Sequence, residues 1–214
     1  LAGARPPKAA TASHWIAAPP RTRECQVVLV AQPSGLQPLK RMEAARAGKH
    51  VVSEKPMAIS LAGADALIDA CAESGVSLFV VKQNRLNPAI QLVKRAVQKG
   101  RFGRIHSANC TVRWARPQEY YDQAPWRGTW AMDGGAFMNQ ASHYVDLIQW
   151  LAGPVESVVA MTATQERKIE AEDSGAAVLR FQNGAIGRSE RLCHVSPHSR
   201  SAPSFVGRSS CFSR

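Results

Sequence analysis

Three short apolar runs, separated by segments of helical spacing, constrain the fold of the first half of the chain more than any other feature. The runs cover residues 27–31, 50–53 and 76–81. Apolar residues recur at helical spacing over residues 39–47, 61–74 and 88–99. Buried strands that alternate with helices of about ten to fourteen residues are typical of βαβ units. The sequence therefore predicts an α/β domain built on a parallel sheet.

The pattern changes after Gly103. Residues 105–114 alternate like a longer strand, and residues 134–151 carry the apolar stripe of one long helix. Residues 155–164 and 175–181 are strand predictions, followed by a hairpin turn at Gln182, Asn183 and Gly184. Strand, helix and then consecutive strands favour a second, α+β domain with a mainly antiparallel sheet.

The two ends differ from the middle in composition. Segment 1–24 is rich in Ala, Pro and Arg, and segment 188–214 in Ser and Arg, and neither shows a sustained hydrophobic period. Such segments bury too little apolar surface to offset their ordering entropy, so we predict two disordered tails. The abrupt change at Arg188 leaves open that the ends are translated out of frame.

Net charge and cysteine spacing exclude several classes of protein. Seven of the eleven net positive charges lie in segments 1–24 and 188–214, so the middle does not resemble a nucleic-acid surface. The five cysteines are widely spaced without a CxxC pair, which argues against a metal cluster and favours a reduced, cytoplasmic setting. No apolar run reaches the roughly 18 residues of a membrane span.

Charged residues follow two of the predicted parallel strands. Glu54, Lys55 and Pro56 come after the second strand, and ligands of open α/β sheets bind at the carboxyl ends of strands. Lys55 would place a cation at such a crevice, and Pro56 would stiffen the turn, with a cis bond as one option. The alternative is a solvated lysine. The segment that follows the third strand would face the same crevice, and it consists of Lys82, Gln83, Asn84 and Arg85.

A second set of polar residues lies on the predicted long helix. Asn139, His143 and Asp146 have i, i+4 and i+7 spacing, with a glycine pair in front of the helix. Because histidine titrates near neutral pH, this face could do acid/base chemistry, although a lone helix histidine can also be structural. The loop at residues 120–130 holds four aromatic residues and Arg127. Arg127 could bind a phosphate or a carboxylate. The alternative is that the aromatic residues form a satellite hydrophobic cluster.

Three segments together resemble the Gfo/Idh/MocA family of NAD(P)-dependent sugar oxidoreductases. They are PSGLQP at 33–38, AGKHVVSEKP at 47–56 and GGAFMNQASHYVD at 134–146. The resemblance covers roughly residues 25–187, the same ~160 residues that carry the regular patterns. Within the family, WRGTW and NQASHYVDL are most similar to bacterial UDP-N-acetyl-2-amino-2-deoxyglucuronate 3-dehydrogenases, which serve surface-polysaccharide biosynthesis.

The resemblance implies a role for each matched residue. Lys55 matches a catalytic lysine beside the nicotinamide, His143 matches the histidine that takes the hydroxyl proton, and Asn139 stands where many relatives have a catalytic aspartate. The cofactor-binding positions implied are Pro33, Ser34, Glu54, Lys55, Pro56, Gln83, Trp126 and Arg127. The substrate-binding positions implied are Lys82, Asn84, Arg85, Asn139, Gln140 and His143. The cofactor implied is NAD, with NADP not excluded, and no metal is implied.

The chain also departs from the family pattern. No GxGxxG turn, which would hold the cofactor pyrophosphate, occurs in the sequence. We therefore expect a partial dinucleotide-binding domain at 25–103 without its first βαβ unit, and a truncated α+β domain at 104–187. Such a fragment would bind NAD weakly.

Two other functions remain open at this stage. One is a family dehydrogenase that acts on another sugar or polyol, such as inositol, and the other is a non-catalytic remnant. We expect a nucleotide-sugar substrate, no nucleic-acid or membrane partner, and homo-oligomers among full-length relatives.

Overall fold

Two β-sheets form the framework of the protein. A computed structural model describes residues 25–192 and the backbone of residues 202–207. Disordered tails were predicted for segment 1–24 and for segment 188–214. Segment 1–24, and the part of 188–214 outside the ranges just given, lie outside the described residues. The fold class predicted from the sequence, a parallel α/β sheet followed by an α+β unit, is confirmed.

The first sheet is parallel and has the order β1-β2-β3. Its strands are β1 (Val27–Val30), β2 (His50–Ser53) and β3 (Leu78–Val80). The connecting helices are α1 (Gln37–Arg46) and α2 (Leu61–Glu73), and a short 3₁₀ helix (Gln83–Leu86) precedes α3 (Pro88–Gln98). Ser60 and Asn87 cap α2 and α3 by accepting hydrogen bonds from backbone amides. A buried cluster holds the helices on the sheet: Ala44, Ala45, Val51, Leu67 and Cys71.

The second sheet is mixed and has the order β5-β6-β7-β4-β8. Its strands are β4 (Ile105–Arg113), β5 (Val155–Ala163), β6 (Ser174–Phe181), β7 (Ile186–Leu192) and β8 (Ala202–Gly207). The pair β4–β7 is parallel, and the other three neighbouring pairs are antiparallel. The prediction of a mainly antiparallel second sheet is therefore confirmed.

The prediction that residues 188–214 form a disordered tail is wrong for the strands that lie within it. β7 pairs with β6 on one side and with β4 on the other, so hydrogen bonding on both edges holds it although its sequence is polar. Ser189 and Arg191 are buried within this strand. The second domain consequently continues past residue 187, where the sequence analysis ended it.

The segment between β4 and β5 contains three helices. They are α4 (Gln118–Asp122), α5 (Gly135–Met138) and α6 (Ser142–Ala152). Ile148 and Ala152 of α6 pack against Ala108 and Phe181 of the second sheet in one buried cluster. Within the part of the chain that the structure describes, no helix has the length and apolar character needed to cross a membrane.

The prediction of one continuous helix over residues 134–151 is wrong. The helix is interrupted at residues 139–141, where the carbonyl oxygen of Asn139 accepts hydrogen bonds from Lys55 Nζ (2.6 Å) and Ser142 Oγ (3.1 Å). These side-chain donors satisfy a backbone oxygen at the break. Asn139 therefore does not share a helical face with His143 and Asp146, although all three remain within one short stretch of chain.

Candidate active site

The carboxyl ends of β1 and β2 meet the loop that precedes α5. Lys55 follows β2, and its peptide bond with Pro56 is cis, the option that the sequence left open. Pro33 and buried Ser34 begin the turn after β1, and the amide of Gly35 in that turn donates to Met132 O at 3.1 Å. A Cβ atom at Gly35 would lie 2.2 Å from the carbonyl oxygen of residue 131, so this close approach requires glycine.

Lys55 reaches from the first sheet to the helix break of the second unit. Its Nζ donates to Asn139 O at 2.6 Å and to Asn139 Oδ1 at 3.0 Å. An ammonium group has three donors, so one N–H is left for a further acceptor. Burial lowers the pKa of Lys55, and the carboxylates of Asp133 and Glu54 oppose that effect. The alternative of a freely solvated lysine does not describe this half-buried, doubly bonded side chain.

Asp133 lies directly behind the Asn139 amide. Its side chain is only 1% exposed, Oδ1 accepts a short hydrogen bond from Asn139 Nδ2, and Oδ2 accepts from the amide of Gly128 at 2.8 Å. The sequence analysis did not single out Asp133. An acidic residue directly before the glycine pair was the available signal, but nothing in the helical spacing connects it with Asn139.

His143 is buried next to this group. Its Nε2 lies 3.4 Å from Gln83 Nε2, and its Nδ1 is buried without a hydrogen-bond partner among the described residues. Burial lowers the pKa of His143, the charges of Lys55 and Lys82 lower it further, and Asp146 opposes them. The imidazole is therefore neutral at pH 7 and able to take up a proton.

Replacing Lys82 with methionine should raise the pKa of His143, because it removes one of the two cations that lower it. The measurement is an NMR pH titration of the imidazole protons, assigned by comparison with His143→Gln. In the unchanged chain the midpoint should lie below the ordinary 6.5 of histidine. The imidazole of exposed His106 on β4 provides the reference signal in the same spectra. A His143 midpoint that does not respond would show that Lys82 does not act on it.

Several of the predicted substrate ligands contact other side chains. Arg85 donates through Nε and Nη2 to the two carboxylate oxygens of Asp146, at 2.7 and 2.6 Å. Lys82 Nζ lies 4.0 Å from the same carboxylate. Gln140 is buried, and its Oε1 accepts from Arg191 at 3.0 Å. Lys82 lies close enough to His143 for its charge to act on the imidazole, whereas Gln140 faces Arg191 of β7. Asn84 is half-buried in the same short helix as Gln83.

Two arginine side chains lie over aromatic rings of the loop at residues 120–130. The guanidinium carbons of Arg116 and Arg127 lie 4.7 and 4.2 Å from the ring centre of Tyr120. Arg127 also lies 5.0 Å from the ring of Trp126. The Nε atoms of both arginines are buried without a described partner. The loop is therefore more than a hydrophobic cluster, because it holds two guanidinium groups in fixed positions next to the Asp133 contact at Gly128.

Arg41 is a further residue that the sequence analysis missed. This α1 side chain is fully buried and donates to Met57 O at 2.6 Å and to Glu54 O at 2.8 Å. The two carbonyl groups flank Lys55 and Pro56 in the sequence. The available signal in the sequence was a basic residue inside the apolar stripe of a predicted helix. Helical spacing alone does not show whether such a side chain is buried or solvated.

Two family models match consecutive parts of the chain, and the second match begins within α3. A model described as "Oxidoreductase family, NAD-binding Rossmann fold" matches residues 8–82, and one described as "GFO/IDH/MocA C-terminal domain" matches residues 90–204. The chain belongs to the Gfo/Idh/MocA oxidoreductase family. The first match includes part of segment 1–24, and the second extends past residue 187, through β7 and into β8.

Solved structures and curated proteins in this family give more specific similarities. The WlbA dehydrogenase from Bordetella pertussis, in complex with NADH and UDP-GlcNAcA, is 55% identical, has a TM-score of 0.84 and covers 85% of this chain. WlbA from Chromobacterium violaceum, with the same ligands, is 49% identical over 86% of the chain, with a TM-score of 0.83. Levoglucosan dehydrogenase from Pseudarthrobacter phenanthrenivorans is 28% identical over 78% of the chain. The chain spans about half the length of these relatives, 53% of each WlbA chain and 49% of levoglucosan dehydrogenase.

The residues at the strand ends fit the reactive half of a nicotinamide cofactor. Lys55 keeps one N–H donor free, and the buried Nδ1 of His143 has no described partner. Residues 33, 34, 54 and 56 line the same edge of the parallel sheet, where dinucleotides bind in this fold. Among residues 25–192, the strand-to-helix turns carry no GxGxxG sequence, so these residues account for the nicotinamide end only.

Proposed function

We propose that this site oxidises the 3-hydroxyl group of a UDP-linked N-acetylated hexuronic acid, with NAD as the hydride acceptor. The observation that carries the proposal is the position of Lys55, which is held on Asn139 with one N–H donor left for a hydroxyl oxygen. The 55% identity to WlbA from Bordetella pertussis, whose structure is a complex with NADH and UDP-GlcNAcA, supports the choice of substrate.

The proposed chemistry divides between a cation and a neutral base. The Lys55 ammonium donates to the reacting hydroxyl oxygen and stabilises the negative charge that develops on it. His143, neutral because of its lowered pKa, takes the hydroxyl proton. Asn139 cannot accept a proton at its amide, so it holds Lys55 rather than acting as a base. Residues 33, 34, 54 and 56 would hold the nicotinamide end of NAD, which would supply the acceptor for the hydride on the carbon that bears this hydroxyl. Loss of the hydroxyl proton and of that hydride converts the alcohol to a ketone.

The charge of the site suits an acidic substrate. A UDP-hexuronate carries a diphosphate and a carboxylate, and the site offers the half-buried cations Lys82, Arg116 and Arg127. Guanidinium groups bind both anions through paired hydrogen bonds. Arg85 is a weaker candidate because its Nε and Nη2 are engaged with Asp146. We place the reaction in the cytoplasm, in the supply of precursors for surface polysaccharide.

A dehydrogenase for another sugar or polyol is the second candidate. The match to levoglucosan dehydrogenase favours it, but at 28% identity against 55% for WlbA. A neutral polyol would also leave the Arg116 and Arg127 guanidinium groups without anionic partners. A non-catalytic remnant is the third candidate, and it predicts no turnover with any substrate.

The experiment compares NADH formation by the chain with UDP-GlcNAcA, UDP-GlcNAc, levoglucosan and inositol. NAD is supplied at a concentration high enough to compensate for weak cofactor binding. We expect turnover with the UDP-hexuronate alone, and none in Lys55→Met. Because UDP-GlcNAc differs only in carrying a hydroxymethyl group in place of the carboxylate, it isolates the contribution of the acidic group. Turnover of inositol or levoglucosan in its place would support the second candidate.

A further inference from the structure

We propose that Asp133 is a positioning residue that orients the Asn139 amide toward Lys55 and supplies the negative charge that an amide cannot. The catalytic meaning of this inference rests on the proposed function. The contacts of Asp133 can be tested through the reactivity of Lys55 alone, without cofactor, substrate or turnover. The test of Asp133 can therefore fail independently of the proposed function.

The first step concerns the orientation of the amide. Asn139 presents Oδ1 to Lys55 Nζ at 3.0 Å and Nδ2 to Asp133 Oδ1. If the amide were rotated by half a turn, its NH₂ group would face the ammonium and its oxygen would face the carboxylate. Both contacts would then be repulsive. The carboxylate at 133 therefore fixes which end of the amide Lys55 meets.

The second step concerns how the carboxylate itself is held. Asp133 is 1% exposed, and the amide of Gly128 donates to its Oδ2 at 2.8 Å. Among the described residues, Gly128 and Asn139 donate to this carboxylate, and a buried carboxylate is stabilised further by a nearby cation. Lys55 is a cation on the other side of the Asn139 amide. Asp133 therefore places a carboxylate directly behind the amide that binds Lys55.

The third step concerns the charges that act on Lys55. Asp133 is the largest of the effects that oppose burial and raise the pKa of Lys55, ahead of Glu54. Lys82 and Arg116 act in the opposite direction. Burial raises the pKa of Glu172, which packs against the start of α5, and the charge of Asp133 raises it further. The buried carboxylate at 133 thus opposes the loss of the Lys55 charge that burial and the neighbouring cations favour.

A reciprocal exchange of the two side chains tests orientation and charge together. In Asp133→Asn/Asn139→Asp, the new amide oxygen at 133 can accept from Gly128 and its NH₂ can donate to the carboxylate at 139. That carboxylate can accept from Lys55. Each hydrogen bond still joins the same two residue positions, but the carboxylate moves from position 133 to position 139. The single change Asp133→Asn removes the charge without replacing it.

The measurement is the rate at which a water-soluble anhydride acylates Lys55 as a function of pH, followed by peptide mass spectrometry. Only the neutral amine reacts, so the rate at fixed pH reports the charge on Lys55, and neither cofactor nor substrate is needed. Asp133→Asn should raise the rate by about tenfold, the size expected for loss of one nearby opposite charge. The double variant should return the rate to the original value or below it. Exposed Asp122, changed to Asn, is the control.

Two outcomes would overturn the inference. One is an unchanged rate in Asp133→Asn. The other is a folded double variant, judged by circular dichroism, in which Lys55 still reacts faster than in the original chain. If Asp133→Asn fails to fold, the double variant alone decides. Absence of NADH formation together with the expected acylation pattern would contradict the proposed function and leave the role of Asp133 in place.

Discussion

Replacing Gly135 with alanine should lower the free energy of unfolding by about 3 kcal/mol, whereas the same change at Gly184 should cost only about 1 kcal/mol. Both glycines have left-handed backbone angles, with φ of 81° and 83°. A Cβ atom at Gly135 would lie 1.8 Å from Glu172 Oε2, but one at Gly184 would have its nearest neighbour, Arg104 Nη2, at 3.5 Å. The backbone penalty is therefore shared, and the difference isolates the contact with Glu172.

The contact matters because Glu172 holds the start of α5. Its side chain is buried, Oε1 accepts from the amide of Phe137 at 3.0 Å, and its backbone oxygen accepts from the amide of Ala136. Burial raises the pKa of Glu172, and its hydrogen bond with the amide of Phe137 opposes that effect and restrains the carboxyl group at this position. A methyl group at Gly135 would push it off these amides, and Asn139 lies one turn further along the chain.

Urea unfolding of the two variants, followed by circular dichroism, measures the difference. The two variants should have equal dependence on urea concentration, since neither changes the surface exposed on unfolding. Equal losses of stability at Gly135 and Gly184 would contradict the prediction, because they would show that Glu172 accommodates the methyl group without cost.

The first sheet could be predicted from the sequence because its signals are local. Short apolar runs placed β1, β2 and β3 within one or two residues, and strand ends placed Lys55 at the edge of the sheet. The helix break at Asn139 could not be predicted in this way. Apolar spacing continues through residues 139–141, and the break depends on Lys55, a residue 84 positions away in the sequence.

The strands after residue 187 and the carboxylate at 133 were missed for a related reason. β7 is polar, so it has no apolar run, and it is held by backbone pairing with β4 and β6. Asp133 precedes a glycine pair in a loop, where an acidic residue is ordinarily solvated. Its burial depends on Gly128 and Asn139, whose side chains and amides converge only after the loop has folded. Long-range contacts, which residue types alone do not specify, decide both cases.

Replacing Arg41 with methionine should also lower the free energy of unfolding by about 3 kcal/mol. Methionine keeps much of the length and apolar volume of the arginine stem, so the change removes chiefly the donors. The carbonyl oxygens of Glu54 and Met57, which accept from Arg41 at 2.8 and 2.6 Å, would lose this partner in a buried environment. Arg46→Met is the matched control on the same helix, because Arg46 is exposed and surface changes cost less than about 0.5 kcal/mol.

The cost of Arg41→Met should not depend on pH around neutrality. Burial lowers the pKa of Arg41 to about 10, with Glu54 opposing, so the guanidinium remains charged near pH 7 in the folded protein. Hydrogen exchange provides a local readout, since the amides of residues 54–57 should lose protection more than those of β3. A variant that unfolds like Arg46→Met, with unchanged exchange around Lys55, would show that the lysine turn holds its shape without the buried guanidinium. The expected result instead makes α1 the element that anchors the backbone on both sides of Lys55.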